Sequence, residues 1–127
     1  MTISELTMNS ARTAAVALTL GLEIEEVSRD GVFRFQSSRL IPTVRLFRRE
    51  IILALVADSL EKAHAAAVEL IARDGLAISP IELLEECRKE VASVVNASSA
   101  YILRLAPALQ RHERLDRLAI QQCIGGE

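Results

Sequence analysis

Two long stretches of the chain place apolar residues every three or four positions, which is the period of an α-helix with one buried face. A helix over the first stretch is expected to begin at about Pro42, since the residue before a proline avoids the helical region. It is expected to end at Gly75, which suits the C-terminal end of a helix. The second begins at Ser79, which can cap a helix and precedes a proline suited to the first helical position. We therefore expect residues 42–106 to form a hairpin of two long helices. The stripe of the second helix comprises Leu84, Cys87, Val91, Val94, Ser98, Tyr101 and Leu105.

The N-terminal residues 1–41 predict one helix followed by a small β-hairpin. The helix is expected from about Ser4 to Leu20, with Ser10 as its N-cap if it starts late, and Gly21 suits its C-terminal end. After it, β-favouring residues flank an Arg-Asp-Gly turn at 29–31, and Asp-Gly between two such runs is a strong hairpin signal.

The C-terminal residues 107–127 predict a separate short helix. Pro107 lacks a backbone donor and clashes with the preceding turn, so we expect a kink or break near Leu105. The predicted fold class is mainly α: a helical bundle with two long antiparallel helices, shorter flanking helices and a small N-terminal β-hairpin. A chain of 127 residues fits a single domain, 1–127.

Apolar residues make up 50% of the chain, which is more than a small domain readily hides. The excess is concentrated in the first half of the first long helix, where apolar side chains extend most of the way round. A helix that is apolar on nearly every side is buried on nearly every side, so we expect a second copy of the chain to cover it. The predicted homodimer interface comprises Ile51, Ile52, Leu55 and Val56.

Residues 32–49, here called the basic segment, carry five arginines and no acidic residue, although the whole chain has a net charge of −2. The guanidinium group offers a planar fork that matches phosphate or carboxylate. Positive charge at the start of a helix also opposes the helix dipole unless an anion lies there. The predicted anion-binding or partner-binding residues are Arg34, Arg39, Arg45, Arg48 and Arg49.

Three interpretations of the basic segment remain open. The arginines can pair with acids of the same domain or of a partner subunit, namely Glu23, Glu25, Glu26 and Asp30. They can bind an acidic protein partner, or they can bind nucleic acid as part of a regulator. An isoelectric point of about 5.7 argues against a dedicated nucleic-acid-binding domain, which tends to be basic.

Catalytic and metal-binding patterns are weak. Glu61 and His64 form a Glu-x-x-His pair on one helix side, as in di-metal bundles, but such a site needs two copies and so a symmetric dimer. His112 is expected on an apolar helix side, and Ser98 and Ser99 lack a nucleophile-elbow motif. We expect a non-enzymatic interaction or adaptor module without a cofactor, and we keep the dimeric metal bundle as an alternative.

The two cysteines, Cys87 and Cys123, are far apart in sequence and form neither a disulfide framework nor a zinc pattern. Free thiols fit a reducing compartment, so we expect a cytoplasmic protein. Since no run approaches the roughly 18 to 20 apolar residues of a membrane span, we expect no membrane association.

Overall fold

A computed structural model describes residues 3–21, 23–30, 33–36 and 43–125, and this part of the chain is mainly helical. The predicted fold class, a helical bundle with a small N-terminal hairpin, is confirmed. The elements are α1 Glu5–Thr19, β1 Glu23–Ser28, β2 Phe33–Gln36, α2 Thr43–Val56, α3 Leu60–Asp74, α4 Pro80–Ala97, α5 Ser99–His112, β3 Arg114–Asp116 and α6 Arg117–Ile124.

Helix α1 is the central element, since it packs against α5, α2, α4 and β1. Its middle residues are small and fully buried, which lets neighbouring helices approach closely. The helix begins near Ser4, as predicted: the Ser4 hydroxyl is the cap and accepts a bond from the Thr7 backbone N–H at 3.2 Å. Ser10 instead lies buried inside the helix, where its hydroxyl donates to the Arg29 carbonyl at 3.0 Å.

The predicted hairpin of β1 and β2 forms, with antiparallel pairing from Glu23 opposite Gln36 to Val27 opposite Phe33. Strand β3 pairs with the other edge of β1, which gives the order β2-β1-β3. This third strand had no signal in the sequence, because three residues are too few for a strand pattern.

The first long helical stretch is two helices rather than one. Helix α2 ends at Val56, and α3 packs back against it. At the junction Asp58 has a φ of +58°, in the left-handed region, and Ser59 takes the N-cap position of α3. The left-handed residue reverses the chain direction there, so that the apolar faces of α2 and α3 cover each other.

The second long stretch is also divided, but at Ser98 rather than near Pro107. Helix α4 ends at Ala97, and α5 continues through Pro107 to His112. The buried Ser98 hydroxyl donates to the Val94 carbonyl at 2.7 Å and lies 2.7 Å from the Thr19 hydroxyl of α1. These contacts fix the junction of α4 and α5 against the central helix.

Two predicted helix boundaries are confirmed. The Ser79 hydroxyl accepts a bond from the Glu82 backbone N–H at 3.2 Å, and Pro80 is the first residue of α4. Gly75 ends α3 with a φ of +61°, a conformation that glycine adopts without strain.

Candidate functional site

The described part of the basic segment lies on β2 and on the first half of α2. Arg34 is in β2, with its backbone paired to Glu26, and Arg45 is in the first turn of α2. Arg39 lies outside the described residues, as do the side chains of Arg34 and Arg45. The predicted patch can therefore be followed only through Arg48 and Arg49, which are in the first half of α2.

Arg48 forms a salt-bridge network with two glutamates of α4. Its Nη2 atom lies 3.2 Å from a carboxylate oxygen of Glu86, and its Nη1 atom lies 3.3 Å from one of Glu90. All three side chains are about half exposed, so the network contributes little to stability. Arg48 is thus paired within the chain, by acids of α4 rather than by the acids of the hairpin region named above.

Arg49, unlike Arg48, has an unpaired nitrogen in the described part of the chain. Its Nη1 atom is buried and has no hydrogen-bond partner among the described residues. A buried N–H without an acceptor costs about 1–3 kcal/mol, because it has lost water without gaining a replacement. The guanidinium group also lies beside Gly21, since a Cβ added there would be 4.0 Å from Nη2.

The guanidinium group of Arg49 lines a cleft of about 620 Å³, here called the Arg49 cleft. The cleft lies where the C-terminal end of α1 meets α2, the end of α3 and the middle of α4. A cation at the C-terminal end of a helix is favoured by the helix dipole, and α1 has no basic residue in its own last turn. Arg49 supplies that charge from α2.

The chemistry of the Arg49 cleft is mixed. Asp74 and Glu90 contribute carboxylates to its wall, and Glu90 is already paired with Arg48. Apolar side chains also line the wall. This arrangement suits a single anionic group with an apolar neighbour, since a long polyanion would meet the carboxylates. The apolar residues are Leu20, Ile52, Leu70 and Leu76.

The prediction that apolar residues of α2 form a dimer interface requires a correction. Ile51 is 0% exposed, Ile52 is 3% and Val56 is 6%, while Leu55 is partly buried. The rest of the same chain covers them, because α3 folds back on α2 and both pack against α4. Their apolar character is therefore not evidence for a second copy at this position.

The Glu61 and His64 pair lies exposed on α3, beside a second cavity of about 490 Å³. In the described part of the chain no group of three or more His, Cys, Asp and Glu side chains could hold a metal ion. His112 is exposed at the end of α5, not on the apolar helix side that the sequence predicted. Ser98 is buried and engaged in the helix junction described above.

Both cysteines are free thiols, and they have different surroundings. Burial raises the pKa of the Cys87 thiol; the nearby Arg48 opposes this effect, whereas Glu90 and Glu86 add to it. Burial also raises the pKa of Cys123, and its thiol donates to the Arg104 carbonyl at 3.0 Å. Raised pKa values reduce the thiolate fraction, so neither thiol has the character of an activated nucleophile.

Sequence patterns missed Arg29, whose side chain caps a distant helix. Its Nε donates to the Leu109 carbonyl at 2.7 Å, and its Nη2 donates to the Gln110 carbonyl, so it closes the C-terminal end of α5. Nη1 lies 3.8 Å from the Glu113 carboxylate. The only signal was the turn motif, which carries no information about the helix 80 residues later.

Comparison with known proteins gives no relative: no protein-family model matches the chain, and neither do curated proteins or solved structures. Among the described helices, none has the length and apolar character needed to cross a membrane.

Proposed function

We propose that this chain is a non-enzymatic, self-associating helical module that binds an acidic segment of another protein through the basic segment. Arg49 is the residue that contacts a carboxylate of that partner. The observation that carries this proposal is that Arg49 lines an open cleft while its buried Nη1 atom lacks an acceptor among the described residues, so a turn of the guanidinium group toward the cleft would bring that nitrogen to a partner. A carboxylate of the partner would supply the acceptor and form a charge-assisted hydrogen bond.

A protein partner fits the cleft better than nucleic acid does. Of the two arginines of the basic segment whose side chains are described, Arg48 forms salt bridges with Glu86 and Glu90. The carboxylates of Asp74 and Glu90 in the wall would repel successive phosphates. A glutamate or aspartate flanked by apolar side chains would instead use both the free guanidinium group and the apolar wall.

The proposal is tested by fluorescence anisotropy with a labelled short peptide that carries one glutamate flanked by leucine residues. A matched peptide with glutamine in place of the glutamate isolates the contribution of charge. Arg49→Met should weaken binding of the acidic peptide by about 10- to 100-fold, the equivalent of one charge-assisted hydrogen bond. Arg111→Met is the control, because Arg111 is an exposed arginine outside the cleft and its loss should leave the affinity unchanged.

Equal affinity of the wild-type protein and Arg49→Met for the acidic peptide would overturn the proposal. So would equal binding of the two peptides by the wild-type protein. A short labelled DNA duplex is the third probe. Tighter, Arg49-dependent and steeply salt-dependent binding of this duplex would replace the protein partner with nucleic acid.

A further inference from the structure

A continuous furrow runs along one face of α4, and it is distinct from the Arg49 cleft. Three adjoining cavities of about 490, 250 and 1130 Å³ make it up. The middle cavity shares Leu60 and Arg88 with the first and shares Leu55 and Val91 with the third. From Ile81 to Val95 this α4 furrow extends about 21 Å along the helix axis.

Three exposed apolar side chains line the α4 furrow. Ile81 is 66% exposed and Leu60 57%, and both line the same cavity, while Leu6 at the far end is 56% exposed. Single exposed apolar residues are ordinary, but a contiguous set in a groove marks an interaction surface.

The charges that α4 contributes to the furrow are self-complementary. Glu85 and Arg88 lie one turn apart on α4, and both are exposed and line the furrow. Within the described part of the chain, neither forms an ion pair. The residues of this face are separated by four and three positions in turn, as on a helix that packs against another along its length. They are Ile81, Glu85, Arg88, Ala92 and Val95.

We infer that the α4 furrow binds the α4 furrow of a second copy of this chain, with the two α4 helices antiparallel about a two-fold axis. When the axis passes between residues 86 and 87, Glu85 of each copy faces Arg88 of the other. The same register places the exposed Ile81 against the small side chain of Ala92, also twice. An isologous interface requires this reciprocity, and the sequence of α4 supplies it for both charge and size.

This inference rests on the self-association in the proposed function and assigns it to a surface, in place of the buried residues near Ile51. It commits to a second copy because the α4 side of the furrow carries an acid, Glu85, and a base, Arg88, in a reciprocal register. A foreign helix would need no such symmetry.

The experiment measures molar mass by light scattering at about 100 µM, a concentration at which micromolar dimers are populated. The wild-type protein should have twice the 13.9 kDa mass of the chain. E85R and R88E each place like charges in both reciprocal contacts, so each should raise the dissociation constant by at least about 100-fold and lower the measured mass toward that of one chain. An equimolar mixture of E85R and R88E should recover the doubled mass, since every contact in the mixed dimer joins opposite charges.

The matched controls are E69R and K62E on α3, which are exposed positions outside the furrow and should leave the mass doubled. Thermal unfolding followed by circular dichroism verifies that each variant is folded. A wild-type protein with the mass of one chain would overturn self-association itself. Dimeric E85R and R88E would overturn the α4 furrow as the interface and leave self-association standing, and single variants that fail to associate when mixed would overturn the register.

Discussion

Replacing Arg49 with methionine should stabilise the fold while it removes partner binding. The buried Nη1 atom without an acceptor costs about 1–3 kcal/mol. The charge of Arg49 near the C-terminal end of α1 stabilises the fold by about 0.3–1 kcal/mol through the helix dipole. Methionine keeps an unbranched apolar stem, so most packing is retained. We expect the free energy of unfolding to rise by about 1 kcal/mol.

The matched variant is Arg48→Met, for which the opposite sign is expected. It loses two half-exposed ion pairs, to Glu86 and Glu90, and so should lower the free energy of unfolding by up to about 1 kcal/mol. For a chain of 127 residues, about 1 kcal/mol corresponds to a change in melting temperature of about 4 °C.

Urea titration and thermal melts followed by circular dichroism measure both variants against the wild-type protein. If Arg49→Met destabilises the fold as much as Arg48→Met does, the guanidinium group of Arg49 has a stabilising partner in the folded chain. The inference that Arg49 binds a carboxylate of a partner in this cleft would then be refuted. A gain in stability together with a loss of peptide affinity would be the signature of a binding residue retained at the expense of stability.

Two further predictions concern the scaffold. Arg29→Met should lower the free energy of unfolding by about 2 kcal/mol, because two carbonyls at the end of α5 lose charged donors; Glu113→Gln, which removes only the 3.8 Å ion pair, should cost less than about 0.5 kcal/mol by the same urea titration. Burial raises the pKa of Cys87 in the fold, so its contribution to stability is complete below the ordinary value of 9.0 and declines as the pH rises through the raised pKa. Urea titrations between about pH 8 and pH 10 should therefore show a steeper loss of stability for the wild-type protein than for Cys87→Ala, and equal slopes would contradict the assignment.

The boundaries of several elements could be predicted because their signals are local. A serine before a proline started α4, and a glycine ended α3, since capping acts within one helical turn. The stripe of α4 and α5 was also predicted: Leu84, Cys87 and Leu105 are all buried. The break at Asp58 has a local signal as well, an Asp-Ser pair that can reverse the chain and cap α3, but the continuous apolar period obscured it.

The candidate sites could be predicted only in part. The basic segment named Arg48 and Arg49 together, but the sequence could not separate the paired arginine from the unpaired one. That distinction depends on where α4 places Glu86 and Glu90, 38 and 42 residues after Arg48. The α4 furrow was missed because its face combines apolar residues with charged ones, and sequence periodicity responds to the purely apolar face beside it.

The sequence by itself determined that this chain is a helical bundle with an N-terminal hairpin, because the period of its apolar residues and its capping residues specify helices independently of their neighbours. Only the tertiary structure decided that α1 is the central helix and that α2 is covered by its own chain. It also decided that Arg49 has a buried nitrogen without an acceptor among the described residues. The physical reason is range. Helix signals act over three or four residues, whereas burial and ion pairing depend on which helices meet, and packing of the whole chain decides that.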